Sequence, residues 1–135
     1  QNYVEQGRLV RYVLGLYSAC KLGMQTTGNA GGVRNLSINH DSIEQSDLIK
    51  RMHRGLLVTE LMGFGVNTVT GDYSRGAAGF WVENGEIQYP VHEITLSGQL
   101  TNMFKGVSGI ANDTNLKGNI QSGSILINEM TIGGS

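Results

Sequence analysis

Proline and cysteine are almost missing from this sequence: Pro90 and Cys20 are the only ones in 135 residues. A lone cysteine cannot close a disulfide within the chain. This excludes a disulfide-stapled secreted fold and fits a reducing cytoplasm. Charge is scarce too, at 16% of residues, and it nearly cancels to a formal net charge of −1. No broad basic field is available to draw in nucleic acid or an anionic membrane surface, so neither is expected as a direct partner. No apolar run approaches the roughly 20 residues that cross a bilayer as a helix. The first residue is Gln1, with no charged-then-apolar leader ahead of it. The chain is therefore expected to be cut from something longer.

What the chain does have is glycine, 20 residues of it, beside a hydrophobic content of 39%. Average glycine usage is about 7%, so this is about double. The glycines lie within apolar segments and are not gathered in a linker, which points to bulges, tight turns and close backbone approach. The length fits one domain spanning 1–135.

Hydrophobic periodicity places the elements. Leu9 to Leu16 alternates and predicts a strand. Tyr17 to Gly23 predicts one or two helical turns stopped by the glycine. Thr26 to Gly32 is a loop by composition, and Val33 to Asn39 predicts a strand. Glu44 to His53 is the best helix, with Leu48, Ile49 and Met52 on one face, Asp47 near its start and basic residues near its end; Gly55 is expected to stop it. Leu56 to Leu61 predicts a strand covered on both faces. Val66 to Thr70 and Ala77 to Val82 predict two more, separated by a turn through Asp72, Tyr73, Ser74 and Arg75. Asn84-Gly85 is a strong hairpin signal. The strand after it, Glu86 to Tyr89, is expected to end at Pro90. His92 to Ser97 alternates with Ile94 and Leu96 inward. Gln99 to Lys105 predicts a short helix, and Val107 to Ala111, Ser124 to Ile127 and Met130 to Ile132 predict closing strands. The fold class is α+β: β-rich, largely antiparallel, with two or three short helices.

Reactive constellations are weak. His40, Asp41, Glu44 and His53 lack the His-Glu-x-x-His spacing of a zincin, and a polar surface around a helix start explains them better. Ser74, in Gly71-Asp72-Tyr73-Ser74-Arg75-Gly76, misses the nucleophile-elbow spacing by one residue and is followed by strand signals. Gly63-Phe64-Gly65 lacks the third glycine and the helix of a dinucleotide loop. Gly28 to Gly32 has no phosphate-loop lysine. Cys20 has no identifiable basic partner, His92 reads as a strand side chain near solvent, and Phe80 and Trp81 read as core or interface. Arg75 is the most interesting exposed group, because an arginine fork can hold a carboxylate or a partner's backbone.

One resemblance covers nearly the whole chain. Tyr17-Ser18-Ala19 with Lys21-Leu22-Gly23, then Thr27 to Gly32, Gly55 to Gly63, Thr70 to Ile87 and Gly109 to Asp113, resemble in order and spacing the C-terminal region of the PmbA/TldE branch of the TldD/PmbA metallopeptidase family. The resemblance implies a cytoplasmic protein of several hundred residues, of which this would be the last third. It implies a subunit that pairs with a TldD-like subunit, or with itself, to process or degrade unfolded peptides. An older family label, modulator of DNA gyrase, implies the alternative of a non-enzymatic regulatory domain. In the TldD branch zinc is held by a His-Glu-x-x-x-His helix upstream of this region and by a cysteine near the C-terminus. Here the matching segment reads Gln121-Ser122-Gly123-Ser124, without a thiolate. No catalytic, metal or cofactor residue is therefore carried over, and any zinc is expected in the partner subunit. Asp72, Tyr73, Ser74 and Arg75 are the candidate contacts for partner or peptide. A glycine-rich sheet with few charged side chains suits an extended peptide that adds as a strand through its main chain.

Overall fold

A computed structural model describes residues 1–134. In chain order its elements are β1 (Val4–Glu5), β2 (Arg8–Leu9), α1 (Leu16–Leu22), β3 (Leu36–Ser37), α2 (Gln45–Met52), β4 (Gly55–Met62), β5 (Asp72–Glu83), β6 (Glu86–Gln99), α3 (Leu100–Lys105), β7 (Val107–Ile110), β8 (Ile120–Gln121), β9 (Ile125–Ile127) and β10 (Thr131–Gly133). The fold is α+β, and among the described pairings only β3 with β8 is parallel. Two compact units divide the chain.

The first unit contains Gln1–Ser37 and Lys117–Gln121. Leu14 and Ala19 are buried in it. The Leu14 N–H donates to Thr27 Oγ1 at 2.8 Å, and the Leu14 carbonyl accepts the Thr27 N–H at 3.0 Å. The strand expected over Leu9 to Leu16 is not formed: only Arg8 and Leu9 are paired, and Val10 and Tyr12 stay exposed. Alternation makes a strand only where a partner edge offers hydrogen bonds, and here the chain turns into α1 instead. That helix ends as expected, with Gly23 left-handed at φ 63°. Of Val33 to Asn39 only β3 is a strand.

The second unit, Ile38–Leu116 and Ser122 onward, is built on a four-stranded antiparallel sheet in the order β10-β6-β5-β4. Its spine is the β5–β6 hairpin. Glu83 pairs with Glu86, and Asn84 and Gly85 make the two-residue turn at φ 54° and 73°, both left-handed as a type I′ turn requires. Tyr73, Arg75 and Ala77 alternate onto one face of β5, and Leu96 and Ile94 lie opposite Arg75 and Ala77 on β6. Ala77, Ile94 and Leu96 form the buried cluster, with Leu56, Val58, Tyr73, Val91 and Met130 packed against it.

Both neighbours of β5 bulge opposite Ala78. On β4 the extra residue is Thr59, whose hydroxyl donates to the Ala78 carbonyl at 3.3 Å. On β6 His92 and Glu93 together face Ala78, with Glu93 at φ 56°. Paired bulges bend the sheet here. Next to the bend β4 and β5 approach so closely that a Cβ on Gly79 would lie 1.9 Å from the Leu57 carbonyl oxygen.

Further expectations need correction. Pro90 does not end a strand: it pairs opposite Phe80 within β6. β10 reaches only Thr95 to Ser97, so Pro90 sits on an open edge, where a missing N–H is tolerated. Val66 to Thr70 is not a strand; Val66 makes one bridge to Tyr73 and the chain then turns. Asp72 to Arg75 is no turn but the first third of β5. β4 is half-buried from Gly55 to Val58 and exposed from Thr59 to Met62, so only its first half is covered.

The predicted central helix is α2, with Leu48 buried. It ends at His53, in a positive-φ conformation, and Gly55 opens β4 and does not act as the stop. The His53 carbonyl accepts the Gly85 N–H at 2.8 Å, and a Cβ on Gly85 would lie 3.1 Å from Lys50 Cα, so the hairpin turn rests on the last turn of α2. At the other end Gln45 Nε2 donates to Ser124 Oγ at 2.8 Å. Ser124 in turn donates from its N–H and its hydroxyl to Asp113, at 2.8 and 2.7 Å.

Candidate functional site

β4 stops at Met62, opposite Gly76. The chain turns away at Gly63, φ 81°, and folds back along the head of β5. The Gly65 carbonyl accepts the Ser74 N–H at 2.6 Å, and the Asp72 carbonyl accepts the Asn67 N–H at 2.8 Å. Glycine is required at 65, because a Cβ there would lie 1.7 Å from the Ser74 carbonyl oxygen. Asn67 holds the following turn, its Oδ1 accepting the N–H groups of Val69 and Thr70 at 2.9 and 3.1 Å, as asparagine does in loops. Phe64 and Val69 are left almost wholly exposed.

Asp72 fastens this loop to both strands of the hairpin. Its Oδ2 accepts from Thr70 Oγ1 at 2.7 Å, and its Oδ1 accepts from Gln99 Nε2. Gln99 is the residue opposite Asp72 in the ladder, and the next residue, Leu100, donates its N–H to the Gly71 carbonyl at 2.8 Å as α3 begins. Tyr73 packs on the buried cluster. Ser74 is exposed, and Arg75 is half-buried with its Nε shielded from solvent and without an acceptor. The four candidate residues thus divide: Asp72 and Tyr73 are engaged internally, while Ser74 and Arg75 keep free hydrogen-bonding capacity. Sequence reasoning missed Gln99, which it assigned to a helix, and the exposure of Phe64. The signal for Gln99 was its place after an alternating strand, one residue before the helical pattern.

The Asp113 carboxyl is held below its ordinary pKa. Burial pushes its carboxyl up, but hydrogen bonds from the Ser124 N–H, the Ser124 hydroxyl and its own backbone outweigh that, and the net shift is downward. Its two oxygens thus tie Asp113 to Ser124.

His40 Nδ1 donates to the Asp41 carbonyl at 2.8 Å, and Asp41 Oδ2 accepts the Ile110 N–H at 3.0 Å. Among the described residues no three His, Cys, Asp or Glu side chains gather as a metal would require. Among the described residues no helix is long and apolar enough to cross a membrane.

The family model that matches is the PmbA/TldA metallopeptidase C-terminal domain, over residues 1–134. Metalloprotease PmbA of Escherichia coli O157:H7 is 51% identical over 134 residues, 99% of this chain and 30% of that protein. The PmbA homolog of Haemophilus influenzae is 53% identical over 136 residues, all of this chain and 30% of the homolog. A crystal structure from Thermotoga maritima, named as a modulator of a DNA gyrase, superposes with a TM-score of 0.84 at 33% identity, over 96% of this chain and 32% of that one. The chain thus spans about 30% of the length of these relatives.

Proposed function

The chain belongs to the PmbA/TldA metallopeptidase C-terminal-domain family, and from that premise we propose that it serves a zinc metallopeptidase complex as a peptide-handling and pairing domain. Its own residues bind and align; the metal and the bond-breaking groups come from a TldD-like partner subunit. The substrate is an unfolded peptide, and the setting is the cytoplasm, in keeping with the single free Cys20.

The observation that carries this reading is the head of β5. There the loop 63–71 and Gln99 hold Asp72 in place, and Ser74 and Arg75 remain available on an ordered strand. The outer side of β4 supports it. That edge runs eight residues with one charge, Glu60, and no proline, the character of an edge that accepts another strand. Main-chain pairing makes little demand on peptide sequence, as a peptidase for unfolded chains needs.

The test is reconstitution. Full-length protein, a TldD-type partner and zinc should cleave an unstructured peptide, and a chelator should stop the reaction. Omission of either subunit should abolish it. Cleavage by the partner alone at the full rate would refute the proposal.

A second reading rests on the Thermotoga maritima neighbour's name: a regulatory domain that acts on a gyrase without proteolysis. Retained binding to gyrase, with no cleavage in the reconstituted mixture, would favour it.

A further inference from the structure

We propose that Arg75 anchors a carboxylate carried by the extended peptide, an inference that rests on the peptide-handling reading above and sharpens it. Arg75 stands in β5 opposite Leu96, on the face that Tyr73 and Ala77 share. Its Nε is shielded from water and meets no acceptor among the described residues. A shielded, unpaired donor is costly to keep, more so on a cation.

Among the described residues no carboxylate forms an ion pair with Arg75. The nearest carboxylate in sequence, Asp72, alternates to the other face of β5 and already accepts from Thr70 and Gln99. The ion pair found among the described residues is elsewhere, Arg54 with Glu83 at 3.9 Å. A guanidinium can present two N–H groups side by side, the fork that matches the two oxygens of a carboxylate. The apolar neighbours Leu96 and Tyr73 lower the local dielectric and strengthen such a contact once it is made. The carboxylate has two sources in a peptide, an Asp or Glu side chain or the terminal carboxyl group, and one experiment separates them.

Four fluorescent, unstructured peptides are compared on the assembled full-length protein by anisotropy: one with a single Glu, its Gln isostere, and each of these with a free or amidated C-terminus. On the wild type, loss of the recognised carboxylate should weaken binding about tenfold or more. Sensitivity to Glu→Gln assigns the side chain, and sensitivity to amidation assigns the terminus. In Arg75→Gln the preference should fall to within about twofold, and Arg75→Lys should keep part of it. Equal binding of all four peptides to the wild type refutes the assignment however the variants fold. So does a preference that survives in Arg75→Gln. Tight but charge-blind binding removes this inference and leaves the peptide-handling reading standing; failure of every peptide to bind removes both.

Discussion

Gly79→Ala tests the packing of the central sheet directly. The new methyl would be placed 1.9 Å from the Leu57 carbonyl oxygen, 2.9 Å from the Leu57 carbonyl carbon and 3.0 Å from Val58 Cα. All three are backbone atoms, so no rotamer change relieves the clash. To restore ordinary contact, β4 and β5 must separate by on the order of 1 Å or more. That strains the ladder where Leu57 pairs with Phe80 and Val58 with Gly79. Overpacking costs about 1–3 kcal/mol, and one or two weakened ladder hydrogen bonds add about 1 kcal/mol each. The expected loss is therefore about 3 kcal/mol. Gly76→Ala is the control in the same strand: its methyl would meet Met62 Cβ at 3.5 Å, an ordinary contact, and Gly76 has no positive φ. It should be neutral or gain up to about 1 kcal/mol through the unfolded chain. Trp81, the only tryptophan and next to this site on β5, reports urea unfolding by fluorescence. A Gly79→Ala midpoint that matches Gly76→Ala, with unchanged slope, would refute the reasoning.

Two further outcomes are expected. Gly65→Ala should lift the loop 63–71 off β5, because its methyl would lie 1.7 Å from the Ser74 carbonyl oxygen; hydrogen exchange at the Ser74 and Asn67 amides should quicken while the global midpoint falls by no more than about 1 kcal/mol, the scale of a local opening. The Asp113 carboxyl, lowered in the folded state, should add stability above its unfolded pKa of 3.8 and lose it as pH falls through the lower folded value. Asp113→Asn should therefore flatten the acid limb below about pH 4 and lower stability at neutral pH; an acid limb as steep as the wild type's would contradict the hydrogen-bond assignment to Ser124.

Local signals carried much of the fold. Asn84-Gly85 marked the hairpin turn, the alternation of Ile94 and Leu96 marked the buried face, and the pattern of Leu48, Ile49 and Met52 marked α2. The misses share one physical cause: they depend on what lies across the ladder. Leu9 to Leu16 alternates, but its ladder with β1 ends at Leu9, whereas Pro90 continues a strand because its edge is open. Asp72 to Arg75 has the composition of a turn, yet β6 pairs with every one of those residues. The candidate site was legible as a set of residue types, with Arg75 foremost. The division of labour within it was not, because Asp72 is held by Gln99 from 27 positions away and Gly65 is fixed by Ser74.

The first unit borrows Lys117–Gln121 from late in the chain, where β8 pairs with β3. Dissection of the molecule at a single cut after Ser37 would orphan that strand, stripping Ile120 and Gln121 of the ladder they make with Leu36 and Ser37. A faithful excision of the sheet-bearing unit has to remove residues 117–121 as well and join Leu116 to Ser122 through a short bridge.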